Sequence, residues 1–137
     1  MFAAHPISHT LPATADFDPL YYVAGRNEEK GTFIWKGAVY NTTEGTGKGD
    51  SVPISLTFEH VRCTKATLTV LQGNGDPYAY NDPFTGENIV QSTTTTVEAT
   101  RHGTFEFSLP ELSIAVLETE PFHEPRERRK LSVAWTA

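Results

Sequence analysis

The chain has 137 residues, 38% of them apolar, a formal net charge of −6 and one cysteine. This length predicts a single domain with one hydrophobic core, and one cysteine excludes an internal disulfide framework. Residues 1–120 carry fifteen acidic against seven basic side chains, which disfavours nucleic acid as a partner, and no apolar run approaches the ~20 residues of a membrane span.

Residues 1–19 are predicted to form an extended arm or a former interdomain linker. Pro6, Pro12 and Pro19 lie among Ser, Thr, Ala and Asp, a composition that disfavours a helix. The stretch also lacks the basic start and the apolar segment of a signal peptide. At the other end, residues 121–137 contain the run RERRK and are predicted to be a charged tail outside the core.

The stretch between these ends reads as β-strands, most clearly at 104–118, TFEFSLPELSIAVLE, where two alternating runs are separated by Pro110. The first run has one polar face, which should meet water, whereas the second is apolar on both faces and should lie between other structure. Further strands are expected at 20–25, 32–41, 52–59, 65–72 and 89–100. About eight strands without a helical period predict an all-β chain, an antiparallel β-sandwich of jelly-roll type, over residues 20–120.

The segment 73–88, GNGDPYAYNDPFTGEN, is the longest predicted loop. Loops of this length are usually functional or disordered, and the aromatic residues argue against disorder. Tyr78, Tyr80 and Asp82 are candidate carbohydrate-binding residues, because aromatic faces stack on sugar rings and a carboxylate accepts hydrogen bonds from sugar hydroxyls. The alternative is that turn chemistry alone explains the Asn, Asp, Gly and Pro residues, which then fold the loop on itself or against a neighbouring domain.

Signals for other chemistry are weak. GTGKGD at 45–50 does not have the spacing of a phosphate-binding loop, and no cofactor is expected. His60 has no partner at metal-ligand spacing, so no metal site is predicted. Cys63 is interpreted as a small buried strand residue. Asn41 begins an Asn-Thr-Thr glycosylation sequon, which is usable only in a secreted chain.

Three separated blocks resemble the C-terminal β-sandwich domain of fungal α-L-arabinofuranosidases of glycoside hydrolase family 51. They are YYVAGRNEEKGTFIWKGAVYNTT, DPYAYNDPFTGENIV and FEFSLPELSIAVLE. The resemblance implies a sandwich that packs beside a (β/α)₈ barrel, which removes terminal non-reducing α-L-arabinofuranosyl residues from arabinoxylan and arabinan. Both catalytic glutamates of that family belong to the barrel, so no catalytic residue is assigned here and the chain is expected to be inactive alone.

The resemblance also implies an extracellular protein of hemicellulose degradation, with an arabinose-containing polysaccharide or the barrel as partner. The leading hypothesis is an accessory domain, a fragment or a truncated paralogue of such an enzyme. Two alternatives stay open. One is a free-standing carbohydrate-binding module that uses Tyr78, Tyr80, Asp82 and Trp35. The other is a structural module that binds a separate protein through the face that a barrel would cover.

Overall fold

The computed structural model describes residues 2–14, 20–39, 51–73, 80–86 and 90–121. After a 3₁₀ turn at Phe2–Ala4, these residues form eight strands. A three-residue strand lies within the predicted arm, and the longest of the described strands has eleven residues. In chain order they are β1 His9–Leu11, β2 Leu20–Asn27, β3 Thr32–Val39, β4 Val52–Thr57, β5 Lys65–Gln72, β6 Gln91–Arg101, β7 Thr104–Leu109 and β8 Ser113–Thr119.

All the strand pairs are antiparallel, and their order across the sheet is β1-β2-β3-β8-β5-β6-β7-β4. The pairs β3–β8, β4–β7 and β5–β6 are nested within one another along the chain. Nested antiparallel pairing of this kind is the connectivity of a jelly roll. The fold prediction of an all-β antiparallel sandwich is therefore confirmed.

The sheet bends at β6, which is the longest of the described strands. Its residues 91–98 pair with β5, whereas Ala99 and Arg101 pair with Phe105 and Thr104 of β7, with an irregularity between the two pairs. Bulges of this kind increase the local twist and bend a strand. Because of the bend, β7 and β4 lie over the larger layer that is made of β1, β2, β3, β8, β5 and the first part of β6.

Aromatic side chains fill the space between the two layers. Trp35 of β3 meets Phe107 of β7 edge to face, with 5.7 Å between the ring centroids. Phe58 contacts both Phe33 of β3 and Phe105 of β7. Its ring therefore also connects the two layers. Edge-to-face pairs add about 0.5–1.5 kcal/mol to the burial of the rings themselves.

The two runs predicted on either side of Pro110 form β7 and β8, but they do not pair with each other. β7 lies between β6 and β4, whereas β8 lies between β3 and β5. Both faces of β8 are largely buried, with Ala115 and Leu117 in the core between the layers and Val116 on the opposite face. The prediction that this strand lies between other structure is confirmed.

Candidate functional site

The larger layer has an inner face that lines the core and an outer face that points away from β7 and β4. Strand register sorts the outer side chains into rows that run across the layer. One row is apolar on four adjacent strands, β2, β3, β8 and β5: Tyr21, Ala38, Ile114 and Leu71. Tyr21 is 67% exposed and Val23, in the next row, is 42% exposed. This apolar row and Val23 are called the outer stripe below.

The N-terminal segment crosses the far end of the same face. The Ser8 amide donates to the Arg26 carbonyl at 2.9 Å, and the buried Asn27 donates from Nδ2 to the Pro6 carbonyl at 3.0 Å. Ile7 lies directly over Gly25, where an added Cβ would be 2.2 Å from its Cγ2 methyl. The layer therefore has no room for a side chain at position 25 while the segment is in place.

Glu118 of β8 is the most constrained carboxylate of this face. One carboxylate oxygen accepts a hydrogen bond from the Thr32 hydroxyl at 2.8 Å, and the other contacts Nδ1 of His5. Since an ionised carboxylate only accepts hydrogen bonds, the proton of this contact belongs on Nδ1. His5 and Glu118 are 113 positions apart in sequence. A local sequence motif therefore cannot predict their contact.

The electrostatics of Glu118 favour its charged form. Burial raises the pKa of this carboxyl, but the hydrogen bonds from His5 and Thr32, with the nearby charges of His5 and Lys30, lower it by more. The net result is a pKa below the ordinary value. The carboxylate thus acts as a fixed negative anchor for the N-terminal segment.

An open pocket of about 510 Å³ lies beside this anchor, at the end of the outer face. Thr67 and Thr96, which pair across β5 and β6, line it together with Lys65 and Glu120. Glu120 is held by the amide and the hydroxyl of Thr64 at 3.1 and 2.9 Å, and these bonds lower the pKa of its carboxyl. The pocket offers hydroxyl and charged groups, and none of the described residues that line it is a Phe, Tyr or Trp.

The described part of the long loop, residues 80–86, folds largely on itself. Asn81 exchanges two hydrogen bonds with the backbone of Val90, and Asp82 accepts from the amides of Phe84 and Thr85. The Phe84 amide bond is the main reason that the pKa of Asp82 is lowered. The Asp82 bonds are Asx-turn chemistry, in which a short polar side chain replaces a backbone partner, whereas the Asn81 bonds bridge nine residues.

The predicted sugar-binding residues have different positions in the structure. Tyr80 is 65% exposed and lies two residues before Asp82, while Tyr78 is outside the described residues. Phe84, the third aromatic residue of this loop, is 97% exposed. The suggestion that Trp35 binds sugar is wrong, because its ring is buried against Phe107 in the core.

The other residues considered in the sequence, Asn41 and Cys63, do not form a reactive centre in the part of the chain that the structure describes. Asn41 and its sequon lie outside the described residues. Cys63 is buried, and burial, offset in part by a backbone hydrogen bond and reinforced by Glu120, raises its pKa to about 11. Within the described ranges, no three His, Cys, Asp or Glu side chains lie close enough to hold a metal ion. The same ranges include no helix long and apolar enough to cross a membrane.

The described residues thus define a jelly-roll sandwich domain with an apolar outer stripe and a self-bonded loop that bears two exposed aromatic rings. Solved structures with this fold include the thermostable family 51 α-L-arabinofuranosidase of Thermotoga petrophila, which is 25% identical over 74% of this chain with a TM-score of 0.60. The arabinose complex of the Thermotoga maritima α-L-arabinofuranosidase is 24% identical over 72% of this chain, with a TM-score of 0.59. An arabinose-bound family 51 α-L-arabinofuranosidase is 21% identical over 88% of the chain, with a TM-score of 0.66.

The match covers only part of each of these enzymes, since the chain spans 18–19% of their length. No protein-family model matches the chain, and no curated protein sequence is a significant match. The predicted resemblance to family 51 arabinofuranosidases is confirmed by these structures, in which a part of domain size has the fold of this chain.

Proposed function

We propose that this chain is an accessory sandwich domain of a family 51 α-L-arabinofuranosidase and that it packs beside the catalytic domain without supplying catalytic residues. The observation that carries the proposal is the unequal coverage of the structural match. Most of this chain, 72–88%, matches less than a fifth of each enzyme. A whole domain of this chain therefore corresponds to one part of a larger enzyme.

The outer stripe is the surface that we assign to the catalytic domain. It is apolar across four adjacent strands, and Tyr21 and Val23 expose much of their side chains. Interfaces between domains of one chain typically bury apolar surface of this kind within a polar rim. Lys36, in the same row as Val23, and Glu118, in the row beyond, supply polar groups next to the stripe.

The substrate follows from the proposed enzyme. Such an enzyme removes terminal non-reducing α-L-arabinofuranosyl residues from arabinoxylan or arabinan, and these polymers place the protein outside the cell. In a secreted chain the Asn41 sequon becomes a glycan acceptor. A loss of mass on enzymatic deglycosylation of the secreted protein is expected, and a protein found only inside cells would contradict this part of the proposal.

A domain exchange tests the proposal. Residues 1–121 replace the matching segment of the Thermotoga petrophila enzyme, and hydrolysis of an aryl α-L-arabinofuranoside is compared with that of the same enzyme lacking the segment. The exchanged enzyme should be folded and more active than the deletion variant, while the purified chain alone should release no aryl group. Hydrolysis by the purified chain would contradict the proposed non-catalytic role.

One observation favours a second candidate, a carbohydrate-binding module. Tyr80 and Phe84 expose 65% and 97% of their surface on one short loop, and Asp82 lies between them. Exposed aromatic side chains beside a carboxylate suit sugar stacking and hydroxyl recognition. Retention of the chain on arabinoxylan, lost in Tyr78→Ala and Tyr80→Ala and in Phe84→Ala, would support this candidate. No retention of the unmodified chain would eliminate it.

A further inference from the structure

The carboxylates beside the pocket at the end of the outer face are held in place by the fold. Glu118 accepts a hydrogen bond from Thr32 and contacts His5, and Glu120 accepts from the amide and the hydroxyl of Thr64. The pKa of each carboxyl lies below its ordinary value, so both groups are ionised near neutral pH. The border of the pocket is therefore pre-organised on this side.

Two threonine pairs on the outer face differ in how their hydroxyls are bonded. Thr69 and Thr94 are partners across β5 and β6, and their hydroxyls bond to each other at 3.2 Å. Thr67 and Thr96 are also partners across these strands, but they line the pocket. Among the described residues their hydroxyls have no hydrogen-bond partner. Since each hydroxyl donates one bond and accepts two, the pocket has unused capacity of both kinds.

The charged groups of the pocket have unused capacity as well. Lys65 is exposed, and in the described part of the chain its ammonium forms no ion pair, not even with Glu98, its partner in the strand register. Both bonds to Glu120 use the oxygen Oε1, which leaves Oε2 as an acceptor. The pocket thus presents ammonium and hydroxyl donors together with hydroxyl and carboxylate acceptors.

The balance of these groups disfavours three classes of ligand. A phosphate or carboxylate would meet two carboxylates, Glu118 and Glu120, against the single ammonium of Lys65. A metal ion would find no cluster of three His, Cys, Asp or Glu side chains within the described ranges. An apolar ligand would cover the hydroxyls and the ammonium without bonding to them, which is costly. A neutral ligand with several hydroxyls avoids each of these costs.

The dimensions suit a ligand of the size of one sugar unit. The pocket volume is about 510 Å³, within the range of about 300–1,000 Å³ that is usual for small-molecule sites. Thr67 and Thr96 are direct cross-strand partners, a relation that places their Cβ atoms about 4.5–5.5 Å apart. One ligand hydroxyl can bridge this distance with a hydrogen bond to each threonine.

We propose that this pocket binds a single neutral sugar unit. Thr67, Thr96 and Lys65 donate hydrogen bonds to the sugar hydroxyls, and Oε2 of Glu120 accepts one. Because no Phe, Tyr or Trp lines the pocket among the described residues, the hydrogen bonds determine the affinity. The site is separate from the loop that carries Tyr80 and from the outer stripe, and it does not depend on the proposed role in an arabinofuranosidase.

Amide NMR spectra of the full, isotope-labelled chain test the proposal during titration with L-arabinose and, separately, with D-xylose. At least one of these sugars should shift the amide signals of Thr67 and Thr96 and reach saturation, with a Kd on the order of 1–10 mM. The double variant Thr67→Val, Thr96→Val keeps the strand propensity and removes both hydroxyls. It should bind the sugar at least about tenfold more weakly.

The neighbouring threonine pair provides the matched control. Thr69→Val, Thr94→Val makes the same chemical change outside the pocket and should leave the affinity unaltered, as should Phe84→Ala on the exposed loop.

Four results would overturn the proposal. They are the absence of saturation with either sugar up to about 100 mM, an equal loss of affinity in the two double variants, saturable shifts confined to residues 80–86, and tighter binding of inorganic phosphate at the same amides. All these measurements use the chain alone. A failure here is therefore distinguishable from a failure of the domain exchange.

Discussion

Trp35 and Gly37 show how a single glycine shapes the core. Both residues face inward on β3, and the indole ring lies over Gly37, where an added Cβ would be 2.2 Å from Cη2 of the ring. Trp35 is 3% exposed and packs on Phe107, so the ring cannot move without disturbing both layers. The position therefore requires glycine for space and not for backbone conformation.

Gly37→Ala should lower the free energy of unfolding by about 1–3 kcal/mol, the usual cost of overpacking a core. Urea denaturation followed by tryptophan fluorescence measures the change. Ser55→Ala, at an exposed strand position, is the control and should change the value by less than about 0.5 kcal/mol. An equal, small effect of the two substitutions would show that the ring is free to move.

Cys63 should be almost unreactive in the folded protein. Burial, partly offset by a backbone hydrogen bond, raises its pKa to about 11, so at pH 8 only about a thousandth of the thiol is ionised. Its 1% exposure also limits access of a reagent. Thiol titration at pH 8 should be slow in buffer and fast in concentrated urea. Rapid stoichiometric labelling of the folded chain would contradict this description.

Glu118 should make stability depend on pH in the acid range. Its pKa is lower in the folded state than the ordinary 4.5, because the hydrogen bonds from His5 and Thr32 outweigh burial. A carboxyl with a lowered folded pKa contributes stability that is fully present above the ordinary value. That contribution is lost as the pH falls through the lower folded pKa.

The difference in unfolding free energy between the unmodified chain and Glu118→Gln should therefore be largest near neutral pH and shrink below about pH 4.5. Urea denaturation at a series of pH values measures it. Glu106→Gln on β7 removes the same charge at an exposed position and serves as the control. A difference that stays constant from pH 7 to pH 3 would show that the Glu118 charge does not anchor the N-terminal segment.

The N-terminal segment and β2 are held together by a buried asparagine. Asn27 donates to the Pro6 carbonyl and accepts from the Lys30 amide, both at 3.0 Å, and is 5% exposed. Asn81 makes the same kind of double contact, with the backbone of Val90, on the exposed loop. Asn27 and Asn81 therefore form two similar bridges, among the residues that the structure describes, that differ in burial.

Asn27→Ala should destabilise the fold by about 1–3 kcal/mol, because it removes two hydrogen bonds of a buried side chain, each worth about 0.5–1.5 kcal/mol. Asn81→Ala should cost less, since water can replace the lost bonds. Thermal unfolding compares the two variants, and hydrogen exchange at Ser8, whose amide bonds to Arg26, should become faster in Asn27→Ala alone. Equal losses in both variants would indicate that burial of Asn27 does not determine its contribution.

Strand alternation predicted most of the elements but not their neighbours. The period of two within residues 104–118 predicts a strand on each side of Pro110, and β7 and β8 occupy these positions. Their placement in opposite layers could not be derived, because register and order depend on contacts far apart in sequence. For the same reason the contact of His5 with Glu118 and the burial of Trp35 became visible only in the structure.

Taken together, the sandwich has three surfaces with different chemistry. The outer stripe is apolar, the loop at residues 80–86 carries exposed aromatic rings, and the surface at residues 91–97 of β6 is uncharged and hydroxyl-rich. We assign the first to a catalytic domain.

The claim that this chain is a domain docked by its outer stripe is tested most directly in the exchanged enzyme described above. The measurement is aryl α-L-arabinofuranoside hydrolysis after heating, for the exchanged enzyme and for its Tyr21→Lys, Val23→Lys double variant. Ser55→Lys is the control on β4. The account predicts that the exchanged enzyme and the Ser55→Lys variant retain activity, and that the double variant loses it at a lower temperature. Equal heat resistance of all three, or activity no higher than that of the enzyme lacking the domain, would contradict the account.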